Sequence, residues 1–217
     1  MRCVPIVLRA LLLSSVFAGV DSGQARGPRP KAAVIPAVLP ESDNATLTLG
    51  VAALLEAELT SGGRVAVVRA SNGAAWRAAA TDSAALRTAR AGGATYAIIV
   101  GAEHVGSSVR AGARVVANRG DVRVVDSLTS DASGVPTLVV ELASSIHDFV
   151  FPDEVTRGGP VFRPPRPSVP YAALALYSRA VRAKVSGDSN AAKRLLRDAS
   201  AAAPEWEVPK RMLATIK

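Results

Sequence analysis

The chain has 217 residues, 49% of them hydrophobic and only 4% aromatic, with a formal charge of +8 at pH 7. That length suits one ordinary domain plus a small appendage, and it buries a core without disulfide staples. So few aromatic rings argue against a platform that stacks single-stranded nucleic acid, and no nucleic-acid partner is expected. Arginine far outnumbers lysine, yet the cations are scattered rather than gathered into one run. A GC-rich genome produces that pattern through codon usage. The competing reading is attraction to an acidic partner: anionic lipid, acidic glycan or nucleic acid.

The first 25 residues set the compartment. Arg2 and Arg9 lie in Met1–Arg9, Ala10–Val20 is apolar or small throughout, and small or polar residues follow to Ala25. This is the layout of a secretory signal peptide. The alternative is a transmembrane anchor, but the uncharged run has 11 residues, where a span needs roughly 20. Small residues fit cleavage after Ala25 (with Gly23) or after Ala18 (with Val16), and Ala25 is preferred. Removing 25 of the 217 residues leaves 192, and losing Arg2, Arg9 and Asp21 takes the charge from +8 to +7. Cys3 is the only cysteine and precedes the apolar run. A bacterial lipoprotein carries its cysteine just after that run, so the mature chain is expected to be exported, periplasmic or extracellular, without disulfide or lipid anchor.

Arg26–Lys31 is a proline-broken basic lead-in. Ala32–Leu39 is a strand whose Pro36 suggests an edge or a bulge. Ala45–Ser61 carries Leu47, Val51, Leu54, Leu55 and Leu59 at helical spacing, with Asp43 or Asn44 as cap and Gly62-Gly63 as stop. Arg64–Arg69 is a β-branched strand, completing a βαβ-type unit. Ser71–Ala80 is ambiguous, with Trp76 as an anchor. Thr81 or Asp82 opens a helix to about Ala91, stopped by Gly92-Gly93. Tyr96–Val100 reads as a central strand buried on both sides. Val109–Ala117 and Asp121–Leu128 flank Asn118-Arg119-Gly120 as a hairpin whose arginines face solvent. Ser133 caps a helix with Pro136 in its first turn, and Leu138, Leu142, Ile146 and Phe149 form its apolar stripe up to Pro152. Asp153–Pro170 is a proline-rich linker. Tyr171–Lys217 is helical in composition, divided at Gly187-Asp188 and at Pro204.

Three segments resemble the N-terminal domain family of TolB and the related periplasmic domains of curli-type secretion lipoproteins and penicillin-binding-protein activators. AAVIPAVLP leads through a loop and the LGVAALLEAEL helix into RVAVVR, GGATYAIIVG supplies the next strand, and RVVDSLTSDASG a hairpin strand. Thr95 stands where the family usually has Asp, and Ser133-Gly134 replaces Thr-Gly. The likeness covers about Lys31–Phe151. Val169–Pro204 resembles a single tetratricopeptide repeat through Ala180, Gly187, Ala192, Leu196, Ala199 and Pro204. Arg179 and Ala183 depart from that pattern. One repeat is too few for a free solenoid, so the tail is expected to dock on the α/β domain or on another subunit. Glu205–Lys217 would be a capping helix anchored by Trp206.

No phosphate-binding loop, dinucleotide turn or nucleophile elbow occurs in the sequence. His104 and His147 lie on different elements with no cysteine nearby, and a metal site needs three or four convergent ligands. Ser107-Ser108 beside His104 is a conceivable nucleophile pairing, and RGGPVFRPPRP (157–167) a conceivable polyproline ligand or a stiff spacer. Ligands of open sheets sit beyond the carboxyl ends of strands, here near Val100–His104 and Arg69–Gly73.

The expected fold is α/β: a mixed sheet of about five strands packed by helices, then a small helical hairpin. The expected organisation is signal peptide 1–25, α/β domain 26–151, linker 152–170 and helical tail 171–217. No cofactor, metal or catalysis is expected. By resemblance, the protein is an envelope adaptor or assembly factor, with Leu174, Tyr177, Arg179, Arg182 and Trp206 as candidate partner contacts. Alternatives are a module for anionic polymer or lipid headgroups, and last a hydrolase built on His104 and a serine.

Overall fold

The computed structural model describes residues 30–37, 42–61, 66–68, 81–117, 121–150 and 166–216. The leader, the Gly62-Gly63 stop, Arg69–Gly73, the Trp76 segment, the Asn118–Gly120 loop and linker residues 152–165 lie outside the described residues.

In chain order the elements are β1 (Lys31–Pro36), α1 (Asp43–Ser61), β2 (Ala66–Val67), α2 (Asp82–Ala91), β3 (Tyr96–Val105), β4 (Ser108–Ala117), β5 (Val122–Asp131), α3 (Val135–Val150), α4 (Tyr171–Val185), α5 (Ser189–Ala202) and α6 (Glu207–Ala214). The five strands form one mixed sheet in the order β2-β1-β3-β4-β5. β1 runs parallel to β2 and β3, and β3, β4 and β5 are successively antiparallel. This is the expected α/β architecture with a helical tail.

Several local readings change. β1 is flanked by strands on both sides, but among the described residues β2 pairs only with Lys31 and Ala32. Alternation turns the nitrogen of Pro36 to the β2 side, so its missing N–H breaks no ladder bond among the described residues. Ser42, not Asp43 or Asn44, caps α1: its Oγ accepts the Ala45 amide at 3.2 Å. Thr81 caps α2 by accepting the Ala84 amide. β3 runs five residues beyond Val100 and turns through Gly106, at φ +62°, into β4. The hairpin thus begins one turn earlier than its valine pattern suggests. Asp131, not Ser133, caps the 3₁₀ turn Ala132–Gly134 that leads into α3, its Oδ1 accepting the Gly134 amide at 2.7 Å. Opposite Gly112 the register of β4 and β5 shifts, because β5 carries an extra residue between Val125 and Leu128.

Strand alternation divides the core. Ala32, Val34, Ile98, Val100, Val109, Ala113 and Val115 face α1 and α3, where Leu47, Val51, Leu55, Leu138, Leu142 and Ile146 meet them. On the other face Ala33, Ile35, Ala97, Ile99 and Val116 pack on Ala85, Leu86 and Ala89 of α2. The first core does not stop at α1. It continues without a break into Leu174, Tyr177, Ala180, Leu196, Ala199 and Trp206 of the tail. Each fully buried Leu or Val contributes about 1.5–3 kcal/mol, so the tail is a third layer on α1 rather than an appendage.

Candidate interaction surface

α4 packs against α1 at Gly50, where Ser178 lies over the glycine. A Cβ built there would overlap the Ser178 side chain, so only glycine lets the two helices meet. Ser178 itself is buried and donates to the Leu174 carbonyl at 2.9 Å. Further contacts fix the tail. Arg182 donates to Thr46 Oγ1 at 3.2 Å, and Arg166 reaches Glu58 at 2.6 Å. The Val169 amide donates to the Ser133 carbonyl at 3.0 Å, and the rings of His104 and Tyr171 lie 4.9 Å apart. The tail docks on the α/β domain, one of the two arrangements expected.

This docking decides where the candidate partner residues lie. Leu174 and Tyr177 are fully buried and Trp206 is 3% exposed. Tyr177 and Trp206 pack ring against ring at 5.1 Å. These three hold the tail to α1 and present nothing to a partner; their size and apolarity, which suggested a contact surface, serve the core. Arg179 and Arg182 are exposed. Burial, and secondly the Glu56 carboxylate, raise the Tyr177 hydroxyl above its ordinary pKa of 10.0. That hydroxyl has no hydrogen-bond partner among the described residues.

The conceivable nucleophile pairing does not assemble. His104 stands opposite Val109 and Val105 opposite Ser108. Alternation sends the His104 ring to the face of Tyr171 and the Ser108 hydroxyl to the opposite face, while Ser107 sits in the two-residue turn. His147 is buried on α3, with Nδ1 3.4 Å from Asp148. Among the described residues no group of three or more His, Cys, Asp or Glu could hold a metal ion. No described helix is long and apolar enough to cross a membrane.

A groove of about 480 Å³ lies past the end of β1, with Gly101, Gly112, Glu103, Arg110, Asn44 and Ser127 among its lining residues. Its floor is the cross-strand pair Gly101 and Gly112. Among its lining residues Arg110 bonds Glu103 at 3.2 Å, and Asn44 Oδ1 accepts the His104 amide at 2.9 Å.

Paired and unpaired cations occur in both parts, and Lys31 and Arg87 of the α/β part have no side-chain partner among the described residues. In the α/β part Arg110 pairs with Glu103 and Arg114 with Asp82, the latter at 2.9 Å. In the tail Arg179, Lys193, Arg194, Arg197 and Arg211 have neither an ion pair nor a hydrogen bond among the described residues. Arg194 and Arg197 lie on the side of α5 opposite its buried residues Ala192, Leu196 and Ala199, and the half-buried Lys193 lies at the border between the two sides. Scattered sequence positions concealed this grouping, which appears only once the helix faces are assigned.

The geometry defines a class: a five-stranded mixed α/β domain that shares its core with a docked helical tail. No family model matches the chain. No curated protein matches it. Among solved structures, the chain is similar to TolB from Acinetobacter baumannii at 15% identity and a TM-score of 0.42, over 57% of this chain and 28% of that one. It is also similar to a dodecameric point variant of PelC from Paraburkholderia phytofirmans at 18% identity and a TM-score of 0.37, over 54% of this chain and 85% of that one.

Proposed function

We propose that the chain is a non-catalytic, exported envelope protein that acts as an adaptor or assembly factor and binds a partner protein through its helical tail. One observation carries this reading: α4 to α6 commit their large apolar side chains to the core shared with α1 and turn unpaired cations to solvent. A surface braced in that way loses little conformational freedom on binding. The tail is read as a single tetratricopeptide-like unit, with Ala180, Ala192 and Ala199 buried around Leu196. The non-catalytic reading rests on the separation of His104 from Ser108 and on the pairing of Arg110 with Glu103 in the groove. Export rests on the leader sequence.

A second reading, a module for anionic polymer or lipid headgroups, is favoured by the same unpaired cations. The test is crosslinking in intact cells with a photoreactive residue at Arg179 or Ala201 on the tail, or at Arg87 on α2 as a control. A discrete protein adduct from the tail positions and none from Arg87 is expected. A protein adduct from Arg87 alone overturns the reading, and lipid or polymer adducts from the tail select the second one.

A further inference from the structure

We infer that the outward face of α5, carrying Arg194 and Arg197 with Lys193 at its edge, is the docking face for an acidic polypeptide segment; this rests on the adaptor reading above and names its partner's chemistry. The three side chains stand at i, i+1 and i+4, with Arg194 and Arg197 opposite, and Lys193 beside, the side of the helix that is locked into the core by Ala192, Leu196 and Ala199. Charges held at that spacing meet carboxylates at fixed positions, and the arginine fork bonds a carboxylate through two parallel N–H groups. Asp188 is occupied in capping α5, its Oδ1 accepting the Ala191 amide at 2.9 Å. Asp198 is the acid that shares the helix, so the face keeps a positive excess.

Charge complementarity calls for an anion, and the surrounding residues favour a polypeptide over a membrane. A helix that lies on a bilayer inserts Trp, Phe or Leu beside its basic residues. Here Ser189, Asn190, Ala201 and Ala202 flank the cations. The exposed large hydrophobic residues among those described are Val105, Val122 and Tyr171, none of them on α5. Small neighbours leave the guanidinium groups open to an extended acidic strand.

The experiment uses the full chain and a fluorescein-labelled synthetic peptide of alternating Glu and Gly, with binding followed by anisotropy at rising salt. The variant Arg194→Glu/Arg197→Glu is compared with Lys31→Glu/Arg87→Glu, which changes net charge equally at two exposed cations without partners among the described residues. Binding about tenfold weaker in the first variant and changed less than about twofold in the second, with affinity falling steeply with salt, is the expected result. Arg194→Gln/Arg197→Gln gives the same ranking with a smaller loss and guards against a folding defect in the reversal. Equal loss in both charge-matched variants overturns the inference, as does no loss in either. Vesicles of phosphatidylglycerol and phosphatidylcholine form the second arm, and α5-dependent sedimentation on them at equal or higher affinity also overturns it. If the Arg194→Glu/Arg197→Glu chain still yields the tail crosslink in cells, the adaptor reading stands and this inference alone fails.

Discussion

Thr48 Oγ1 donates to the Ala102 carbonyl at 2.9 Å and accepts the Ala102 amide at 3.0 Å, so one buried hydroxyl serves both backbone groups of one strand residue. β1 ends at Pro36, opposite Val100, and β3 continues. Beyond that point β3 turns the Ala102 and His104 amides to a side with no strand among the described residues. Thr48 and, one helical turn earlier, Asn44 take the place of the missing strand. α1 is therefore at once a packing helix and the polar edge of the sheet.

Replacing Thr48 with valine keeps the shape and leaves both Ala102 groups without a partner. The expected cost is about 2–4 kcal/mol, since each buried unsatisfied group costs about 1–3 kcal/mol. Thr48→Ser keeps most of the stability. Asn44→Ala costs less, about 1 kcal/mol, because its bond to the His104 amide is exposed and water replaces it. Urea unfolding of the three variants checks the order, and a Thr48→Val protein as stable as wild type contradicts it.

Gly50→Ala drives a methyl group into Ser178 and should destabilise by about 1–3 kcal/mol through overpacking. The pairing is specific, so Ser178→Gly should recover part of that loss. A double-mutant cycle measured by thermal unfolding should show positive coupling between the two sites. Strict additivity would mean that α1 and α4 do not meet there.

The Tyr177 hydroxyl is buried without a partner among the described residues, so Tyr177→Phe should be neutral or stabilising, while Tyr177→Ala should cost about 3–5 kcal/mol. The same group gives a pH dependence. Its folded pKa lies above the ordinary 10.0, because burial and then Glu56 disfavour the phenolate. Below about pH 10 both states hold the proton and the term is flat. Above it the unfolded chain releases the proton first, so stability falls as pH rises. Wild type should lose stability between about pH 10 and 11.5 more steeply than Tyr177→Phe, and parallel curves would refute this.

Arg114 and Asp82 form a 2.9 Å ion pair, yet their side chains are 47% and 32% exposed. Arg114→Ala should change stability by less than about 1 kcal/mol, and high salt should erase most of the difference. A larger loss in chemical denaturation would show that the pair fastens α2 to the sheet.

The elements built on uninterrupted apolar patterns were legible in the sequence. The Tyr96–Val100 run is central, α2 begins after Thr81 and ends at Ala91, and Leu138, Leu142 and Ile146 are buried. What escaped was polar or small. Glu103-His104-Val105 does not look like a strand, because its hydrogen bonds on one side go to helix side chains. Gly50 looks like a weak point of a helix until Ser178 is placed against it. Leu174, Tyr177 and Trp206 are the large apolar residues that a partner surface would use, and periodicity alone cannot say whether a second layer of helices already covers them. The cation face on α5 was hidden in the same way, since a charge is free or paired only in three dimensions.

The shared core changes the meaning of the proline-rich stretch between α3 and α4. On either side of it, Val150 packs against the core and Arg166 is held to Glu58. Val150 and Arg166 therefore both belong to the body built around α1. A protease that cut within residues 151–165 would release no tail: the two fragments would remain together as a nicked protein, held by Tyr177, Trp206 and the Gly50 contact.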